Sequence, residues 1–364
     1  MRSIPLLAAA TMSALAVATL NPLAQTAHST TPEGRTVLTS GLVGPLSLDV
    51  HAGRVYVTQN FAGELDRVRG DGSLQRLYRG GHDEIGGVSA RHGRVVFTQT
   101  ASSGAESPTN SWVKVLRRPG KAHTLTRLWA YEKAHNPDGS TTYGARGISD
   151  DCAAQWPTEL LGPPVYRGVV DSHPYATFQR KHRVYVADAA MNAVVSVSFS
   201  GRVRTVAVLR PVPVPITAGL ASTMGVPDCA VGLTYYGEPV PTDVEMGPNG
   251  RLLVTTLGGG LGEQLPLGAM HRIDPATGHQ RVLARGLSAP TDLAVTHSGR
   301  LFVAELFANR IVTMAPGSDT VRTFAKAHLP AAVEVWHGRV YATTDALPPE
   351  DGAPNGKVVR LRRY

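Results

Sequence analysis

The stretch HAGRVYVTQN, residues 51–60, reads as a glycine turn, an arginine and a short strand with alternating apolar residues. Five further stretches repeat this pattern, and they are RHGRVVFTQT (91–100), QRKHRVYVADA (179–189), PNGRLLVTTL (248–257), HSGRLFVAEL (297–306) and WHGRVYATTD (336–345). Such recurrence indicates a protein assembled from repeated units, each of which buries its apolar face against its neighbours. The spacing of the units should therefore reveal the architecture.

The repeated arginine falls at positions 54, 94, 183, 251, 300 and 339, so successive units are 40, 89, 68, 49 and 39 residues apart. Steps near 40 residues match one four-stranded blade of a β-propeller. The two long steps indicate insertions at about 132–170 and 210–239, on either side of the third unit. Two stacked β-sandwiches are the alternative fold, but six units in register favour the propeller.

Each unit shows the same order of strands. A strand such as PLSLDV (45–50) precedes the arginine strand, and a third strand such as GELDRVRG (63–70) follows it. A fourth strand comes next, as in SLQRLYRG (73–80) of the first unit and TLTRLWAY (124–131) of the second. The last unit lacks a fourth strand, and RTVLTSGL (35–42), which is similar to QRVLARGL (280–287), is placed to supply it. We predict an all-β, six-bladed β-propeller of four-stranded blades, closed by the N-terminal strand, with both insertions on one face.

The N-terminal segment predicts export. One arginine precedes a long apolar run in MRSIPLLAAATMSALAVATL (1–20), and small residues follow it. This pattern is typical of a cleaved signal peptide, here residues 1–29, with an uncleaved anchor as the alternative. No later segment has the ~20 apolar residues that a membrane span needs. We expect a secreted or extracytoplasmic protein whose propeller comprises residues 30–364.

The two cysteines of the chain, Cys152 and Cys229, fall in different insertions. In an exported protein a single pair of cysteines reads as a disulfide bond. Two unpaired, buried thiols are the alternative.

Composition and charge limit the classes of partner. The 364 residues are 42% hydrophobic and 18% charged, which is typical of a globular protein. The net charge is +8, and most of the basic residues are arginines placed singly along the chain rather than in runs with aromatic residues. We therefore do not expect nucleic-acid binding. A closed propeller has its strand edges paired, so we expect a monomer.

Some units resemble a known repeat. HPYATF…RVYVADAAMNAVVSV and PTDLAV…SGRLFVAELFANRIVTM are similar to NHL-type repeats, through Asp188 with Asn192 and through Glu305 with Asn309 and Arg310. The order of the units over about residues 36–345 resembles the exported ScyD/ScyE family. This resemblance implies an exported NHL-like propeller, and it implies no shared catalytic motif.

Candidate chemistry lies where the units converge on a central channel. Asp243 and Asp292 each lie two residues after the proline that begins the first strand of their unit, and these two units are adjacent. Glu305 ends the arginine strand of the fifth unit. Carboxylates that face one channel repel each other, and a divalent cation (Ca, Mg or Zn) would relieve this. We predict Asp243, Asp292 and Glu305 as metal ligands. The alternative is that the aspartates bind backbone N–H groups.

Histidines near carboxylates form the second group of candidates. His173 follows Asp171 closely, and His82 adjoins Asp83 and Glu84. A histidine beside a carboxylate can act as a general base. We predict His173, with Glu305, as the catalytic candidates if the protein is an enzyme.

Two functions remain open at this point. The first is a binding or interaction scaffold for a small molecule, glycan or protein at the capped mouth of the channel. The second is a metal-dependent hydrolase or lyase, similar to propeller lactonases or streptogramin lyases, with a carboxylate site in the channel.

Overall fold

A computed structural model describes residues 30–31, 35–101, 110–349 and 351–364 of the chain. The predicted signal peptide, residues 1–29, lies outside this range. The fold is all-β, with seven antiparallel sheets and a few short helices. Within the described part of the chain, no helix is both long enough and apolar enough to cross a bilayer.

The elements follow the chain in this order. The first half contains β1 (Thr30–Thr31), β2 (Arg35–Leu42), β3 (Leu48–His51), β4 (Arg54–Gln59), β5 (Glu64–Val68), β6 (Leu74–Arg79), β7 (Glu84–Arg91), β8 (Arg94–Thr100), β9 (Ser111–Arg118), β10 (Lys121–Arg127), α1 (Leu128–His135), β11 (Thr142–Ala145), α2 (Asp150–Ala153), α3 (Thr158–Leu161), β12 (Val165–Arg167), β13 (Pro174–Gln179), β14 (Arg183–Asp188), β15 (Ala193–Ser198) and β16 (Val203–Val208). The second half contains β17 (Val212–Pro215), α4 (Ala218–Met224), β18 (Thr234–Gly237), β19 (Pro241–Met246), β20 (Leu252–Thr256), β21 (Gly268–Ile273), β22 (Gln280–Leu287), β23 (Pro290–Val295), β24 (Leu301–Glu305), β25 (Arg310–Met314), β26 (Val321–Lys326), β27 (Val333–Trp336), β28 (Arg339–Thr344) and β29 (Gly356–Arg363).

Six of the sheets correspond to the six repeated units. Five of them contain four consecutive strands each, namely β3–β6, β7–β10, β13–β16, β19–β22 and β23–β26. The sixth has the order β27-β28-β29-β2, with the short β1 outside β2. The N-terminal strand therefore completes the last sheet as predicted, in a register that runs from Thr36 opposite Arg360 to Leu42 opposite Gly356.

The two-residue turns before the repeated arginines explain the recurring sequence. Ala52 and Gly53 both have positive φ, and so do His92 with Gly93 and His337 with Gly338. Two successive residues with positive φ form the tight turn whose twist suits a β-hairpin, and glycine adopts this conformation without steric cost. Each such turn places the arginine that follows it at the same end of its sheet, which we call the turn end.

The sheets pack through their first strands. β3 contacts β7, β7 contacts β13, β13 contacts β19, β19 contacts β23, β23 contacts β27, and β27 contacts β3. Buried apolar side chains fill the space between neighbouring sheets. Tyr56 and Leu65 of the first sheet, for example, pack with Val88 and Phe97 of the second. This arrangement directs the first strands toward a common centre.

One predicted strand is wrong in part. The segment TLTRLWAY (124–131) was expected to be a strand throughout, but β10 ends at Arg127 and α1 begins at Leu128. Arg127 pairs with Trp112 near the start of β9, so later residues have almost no strand left to pair with. The helix instead buries Leu128 between the second and third sheets, and Tyr131 Oη bonds to Thr205.

The two insertions together form the seventh sheet, with the order β12-β11-β18-β17, which we call the insertion sheet. Each insertion follows the fourth strand of a sheet, and a fourth strand runs away from the turn end. The insertion sheet therefore lies at the opposite end of the strands, which we call the insertion end. A small core of its own includes Ala145, Trp156 and Ile216. The predicted disulfide is present between Cys152 and Cys229, whose Cα atoms are 5.9 Å apart.

The disulfide should stabilise the insertion sheet far more than the other six. Its loop spans 77 residues, for which chain-entropy arguments give about 4 kcal/mol as an upper range. In the Cys152→Ser/Cys229→Ser variant we expect limited proteolysis to cut first within 132–170 and 210–239, with a lower midpoint of thermal unfolding. Equal proteolysis rates in oxidised and variant protein would contradict this.

Candidate functional site

Asp243 and Asp292 lie on the first strands of neighbouring sheets and bind backbone N–H groups. Asp243 Oδ2 accepts a hydrogen bond from the Leu293 N–H at 3.0 Å, and Asp292 Oδ2 accepts one from the Val333 N–H at 2.9 Å. Ser47, at the equivalent position of the first unit, accepts one from the next sheet in the same way. These side chains therefore link the first strands of the first, fourth and fifth sheets to the first strand of the next sheet.

The two aspartates also contact each other. Burial raises the pKa of Asp243 to about 6, although a hydrogen bond from Asp292 and two backbone N–H groups oppose the rise. Burial and the nearby charge of Asp243 hold the pKa of Asp292 well above its usual range. The two carboxyl groups are thus coupled, because a negative charge on either one disfavours ionisation of the other.

A second layer of charged groups lies two residues further along the first strands. Arg91 Nη1 binds both carboxylate oxygens of Asp49 at 2.8 Å. Burial holds the pKa values of Glu245 and Glu334 well above their usual range, and the charges of Asp49 and Asp243 add to the rise of both. Glu245 and Glu334 were not among the predicted site residues, although the two-residue period of a strand places them on the same face as the position of Asp243.

Glu305 forms a separate structural contact. Its Oε1 accepts a hydrogen bond from the Ser288 N–H at 2.7 Å, and its Oε2 accepts one from Arg310 Nε at 2.5 Å. The NHL-like pairing of Glu305 with Arg310 is thus an ion pair within the fifth sheet. Among the described contacts, none joins Glu305 to Asp243 or Asp292.

As arranged, the predicted ligands do not fit a divalent cation. Among the described residues, no group of three or more His, Cys, Asp or Glu side chains is placed to hold a metal ion. The oxygens of Asp243, Asp292 and Glu305 already accept hydrogen bonds from the protein. A metal bound by these three residues stays a prediction.

His173 belongs to a chain of hydrogen bonds that crosses three sheets at the insertion end. Asn60 Nδ2 donates to Glu84 Oε1 at 3.2 Å, and Glu84 Oε2 lies 3.0 Å from His173 Nε2. The side chains of Glu84 and His173 remain partly exposed, at 24% and 16%. The backbone N–H of His173 donates a hydrogen bond to Asp188 Oδ1 at 2.8 Å. The predicted neighbour Asp171 lies close enough for its charge to act on the imidazole, whereas His82 is exposed.

The charge state of His173 differs from that of a general base. Burial alone would lower the pKa of the imidazole, but the charge and hydrogen bond of Glu84 raise it to about 9. At neutral pH the ring is therefore an imidazolium, which donates hydrogen bonds and cannot accept a proton. This pair suits the binding of a polar or anionic group better than proton abstraction.

Tyr175 is a candidate that sequence reasoning missed. Its side chain is buried, its Oη has no hydrogen-bond partner within the described residues, and its ring lies 6.4 Å from that of His173. Burial and the charges of Glu84, Asp292 and Asp243 raise its pKa. The phenol thus lies between the insertion end and the channel aspartates. An unpartnered buried hydroxyl is a natural donor for a ligand or an ordered water.

A further acidic group lies beside this network. Glu132 of α1 is fully buried, and neither of its carboxyl oxygens has a side-chain partner among the described residues. Burial, with the charges of Asp188 and Asp138, raises its pKa to about 8. Glu132 is therefore neutral at pH 7.

Comparison with known proteins supports the fold and no particular activity. No family model and no curated protein matches the sequence. Solved structures of β-propeller proteins do match. A gluconolactonase from Xanthomonas campestris shares 10% identity, with 90% of this chain and 89% of that one covered and a TM-score of 0.54. A PQQ-bound aldose sugar dehydrogenase from Streptomyces coelicolor shares 12%, covering 90% and 98%, with a TM-score of 0.51.

A virginiamycin B lyase from Staphylococcus aureus shares 14% identity, with 89% of this chain and 97% of that one covered and a TM-score of 0.50. At these identities the likeness shows the fold alone. The chain is thus a β-propeller. The three neighbours differ from one another in their chemistry, so the fold does not select one activity.

The Glu84→Gln substitution should lower the pKa of His173. It removes the negative charge that holds the imidazolium, so we expect a drop of at least ~1 pKa unit. An NMR titration of the His173 ring, assigned with a His173→Asn variant, measures this. The exposed Glu159→Gln change in α3 is the matched control and should leave the titration unchanged. A His173 pKa that stays near 9 in Glu84→Gln would contradict the assignment.

Glu132 should make stability depend on pH. The pKa of Glu132 is raised from 4.5 in the unfolded chain to about 8 in the folded protein. The contribution of Glu132 to the free energy of unfolding therefore falls as the pH rises from 4.5 to 8, and it is constant above pH 8. We expect Glu132→Gln to be more stable than wild type at pH 8 by ~1 kcal/mol or more, and the difference to vanish near pH 4.5. Urea unfolding at both pH values tests this, with Glu159→Gln as control. A difference that does not vary with pH would contradict it.

Proposed function

We propose that this protein is an exported, six-bladed, NHL-like β-propeller of the ScyD/ScyE type that serves as a binding scaffold at its insertion end. Six sheets with the same strand order support the blade count, together with the contacts of the first strands from β3 back to β3. The disulfide between the two insertions agrees with an oxidising compartment outside the cytoplasm. The family assignment rests on the sequence resemblance.

The observation that carries the proposal is the position of the exposed apolar side chains. Phe61 and Phe307 lie in loops that follow second strands, and Val169 and Val170 lie just before His173. These loops all lie at the insertion end, as do Val165 and Val231 of the two insertions. Among the large apolar residues exposed in the described structure, Tyr364 alone lies elsewhere. A concentration of exposed apolar groups on one side marks an interaction surface.

Polar groups at the same end give this surface specificity. The His173 imidazolium with Glu84 offers a charged pair, and Tyr175 Oη offers a free donor behind it. Apolar contacts around a few fixed polar groups are characteristic of sites for small molecules and glycans, and also occur in protein interfaces. The ligand would thus be a small molecule, a glycan or a protein.

The alternative, a metal-dependent hydrolase or lyase, has less support. The aspartates predicted as ligands fasten neighbouring strands, and the proposed base is an imidazolium. The lactonase and the lyase among the structural neighbours support only the fold.

The proposal predicts that acidic substitutions at the insertion end weaken ligand binding at least tenfold. Native mass spectrometry of the protein purified from an exporting host, together with a glycan array, identifies the ligand. Binding should be lost in Phe61→Asp/Val170→Asp and kept in the matched control Tyr364→Asp, because only the first pair disrupts the apolar surface.

Two outcomes would contradict the scaffold. The first is the absence of any ligand in both assays. The second is turnover of a lactone or a streptogramin by protein that contains about one equivalent of Ca, Mg or Zn. If the Asp243→Ala/Asp292→Ala variant loses both the metal and the turnover, the metal-dependent alternative would be established.

A further inference from the structure

A cleft of about 280 Å³ opens at the turn end, between the first and second sheets. Its apolar lining includes Tyr56, Leu77 and Leu116, which are buried. The turn between β3 and β4 borders one side, and the turn between β9 and β10 borders the other. This cleft lies at the opposite end of the strands from the proposed binding surface, and nothing in that proposal uses it.

The polar lining of the cleft is basic. No Asp or Glu is among its lining residues. The charged groups that line it are Arg54, Arg67, Arg91, Arg94, Arg117 and Arg118. Six guanidinium groups around one small space repel each other, and water screens this only in part.

Most of these arginines lack a compensating carboxylate. Among the described residues, Arg54, Arg67, Arg117 and Arg118 have no ion-pair partner. Arg94 lies with its guanidinium 4.3 Å from the centre of the Phe199 ring, and its Nη1 is buried without a hydrogen-bond partner. A buried N–H of a charged group that has no partner is costly, so it is a natural contact for a bound anion.

Other arginines of the fold show the contrast. The repeated arginine of the fourth unit, Arg251, pairs with Asp274. Arg76 and Arg79, on the outer strand of the first sheet itself, pair with Glu64. What distinguishes the cleft is therefore the number of arginines around one space, since six of them line it and no Asp or Glu is among its lining residues.

A neighbouring cleft extends the basic region. It has a volume of about 320 Å³, shares Arg91 with the first cleft, and is lined further by His92, Arg180 and Lys181 without any carboxylate. Arg91 itself is held by Asp49 from the channel side. The basic surface therefore continues from the second sheet toward the third.

We propose that the arginine-lined cleft between the first and second sheets is a binding site for a multivalent oxyanion, a ligand that carries several phosphate or carboxylate groups. The planar guanidinium binds two oxygens of such groups at once, which gives both affinity and orientation. A ligand with several anionic groups can contact several arginines of the cleft together, whereas a single monovalent anion cannot. The apolar lining accommodates the part of the ligand that joins the anionic groups.

Calorimetric titration of the mature protein with tripolyphosphate and with citrate tests this site. We expect saturable binding of at least one of them with one equivalent per chain, weakened by added salt. The Arg67→Gln/Arg117→Gln variant should bind at least tenfold more weakly. The matched control, Arg281→Gln/Arg322→Gln, removes the same charge from exposed positions on the outer strands of the fourth and fifth sheets and should bind as wild type does.

The outcomes separate specific binding from general charge attraction. Preference for tripolyphosphate assigns phosphate groups, and preference for citrate assigns carboxylates. Absence of saturable binding to both anions would overturn the proposal, as would an equal loss of affinity in the two double variants. If circular dichroism shows that the double cleft variant does not fold, the single Arg54→Gln variant replaces it, because Arg54 is exposed. We expect Arg54→Gln also to weaken anion binding.

Discussion

The pairing of β2 with β29 is the interaction on which the arrangement of the other sheets depends. It joins the first described long strand to the last one, so the sixth sheet contains both ends of the propeller. Without it, β29 would present an unpaired edge, and the contact of β27 with β3 would have to hold the two ends together alone. Because the two strands are more than 300 residues apart in the chain, closing this pairing costs more loop entropy than any pairing within a sheet of consecutive strands.

Convergence of the first strands also explains the unusual chemistry of the channel. Asp49, Asp243, Glu245, Asp292 and Glu334 come from four different sheets, yet they influence one another's charge. Arg91 alone among the described residues supplies an ion pair there. Burial and the mutual repulsion of the carboxylates raise the pKa values of Asp243, Glu245, Asp292 and Glu334, so the ionised forms of this group are disfavoured together.

Most of the fold could be predicted from the sequence, because the strand repeats are local patterns and the disulfide follows from a single pair of cysteines in a chain predicted to be exported. The strand-to-helix change at Leu128 could not, since it depends on where β9 begins and on an apolar space between two sheets. For the site, the sequence correctly brought Asp243 and Asp292 together, and the alternative role as acceptors of backbone N–H groups is the one observed. Glu84 was identified only as a neighbour of His82, and Tyr175 was not identified at all, because the contact of Glu84 with His173 and the charges around Tyr175 arise between units.

The bond between Cys152 and Cys229 has a topological consequence. The whole third sheet, β13 to β16, lies between these cysteines in the chain and hence inside a covalently closed loop. A backbone cut anywhere in that interval leaves the two pieces joined, so the molecule tolerates a nick there without dissociating. The ends of this interval, which also contains parts of both insertions, stay joined in the unfolded, oxidised chain, so the third sheet has less conformational entropy to lose when it forms.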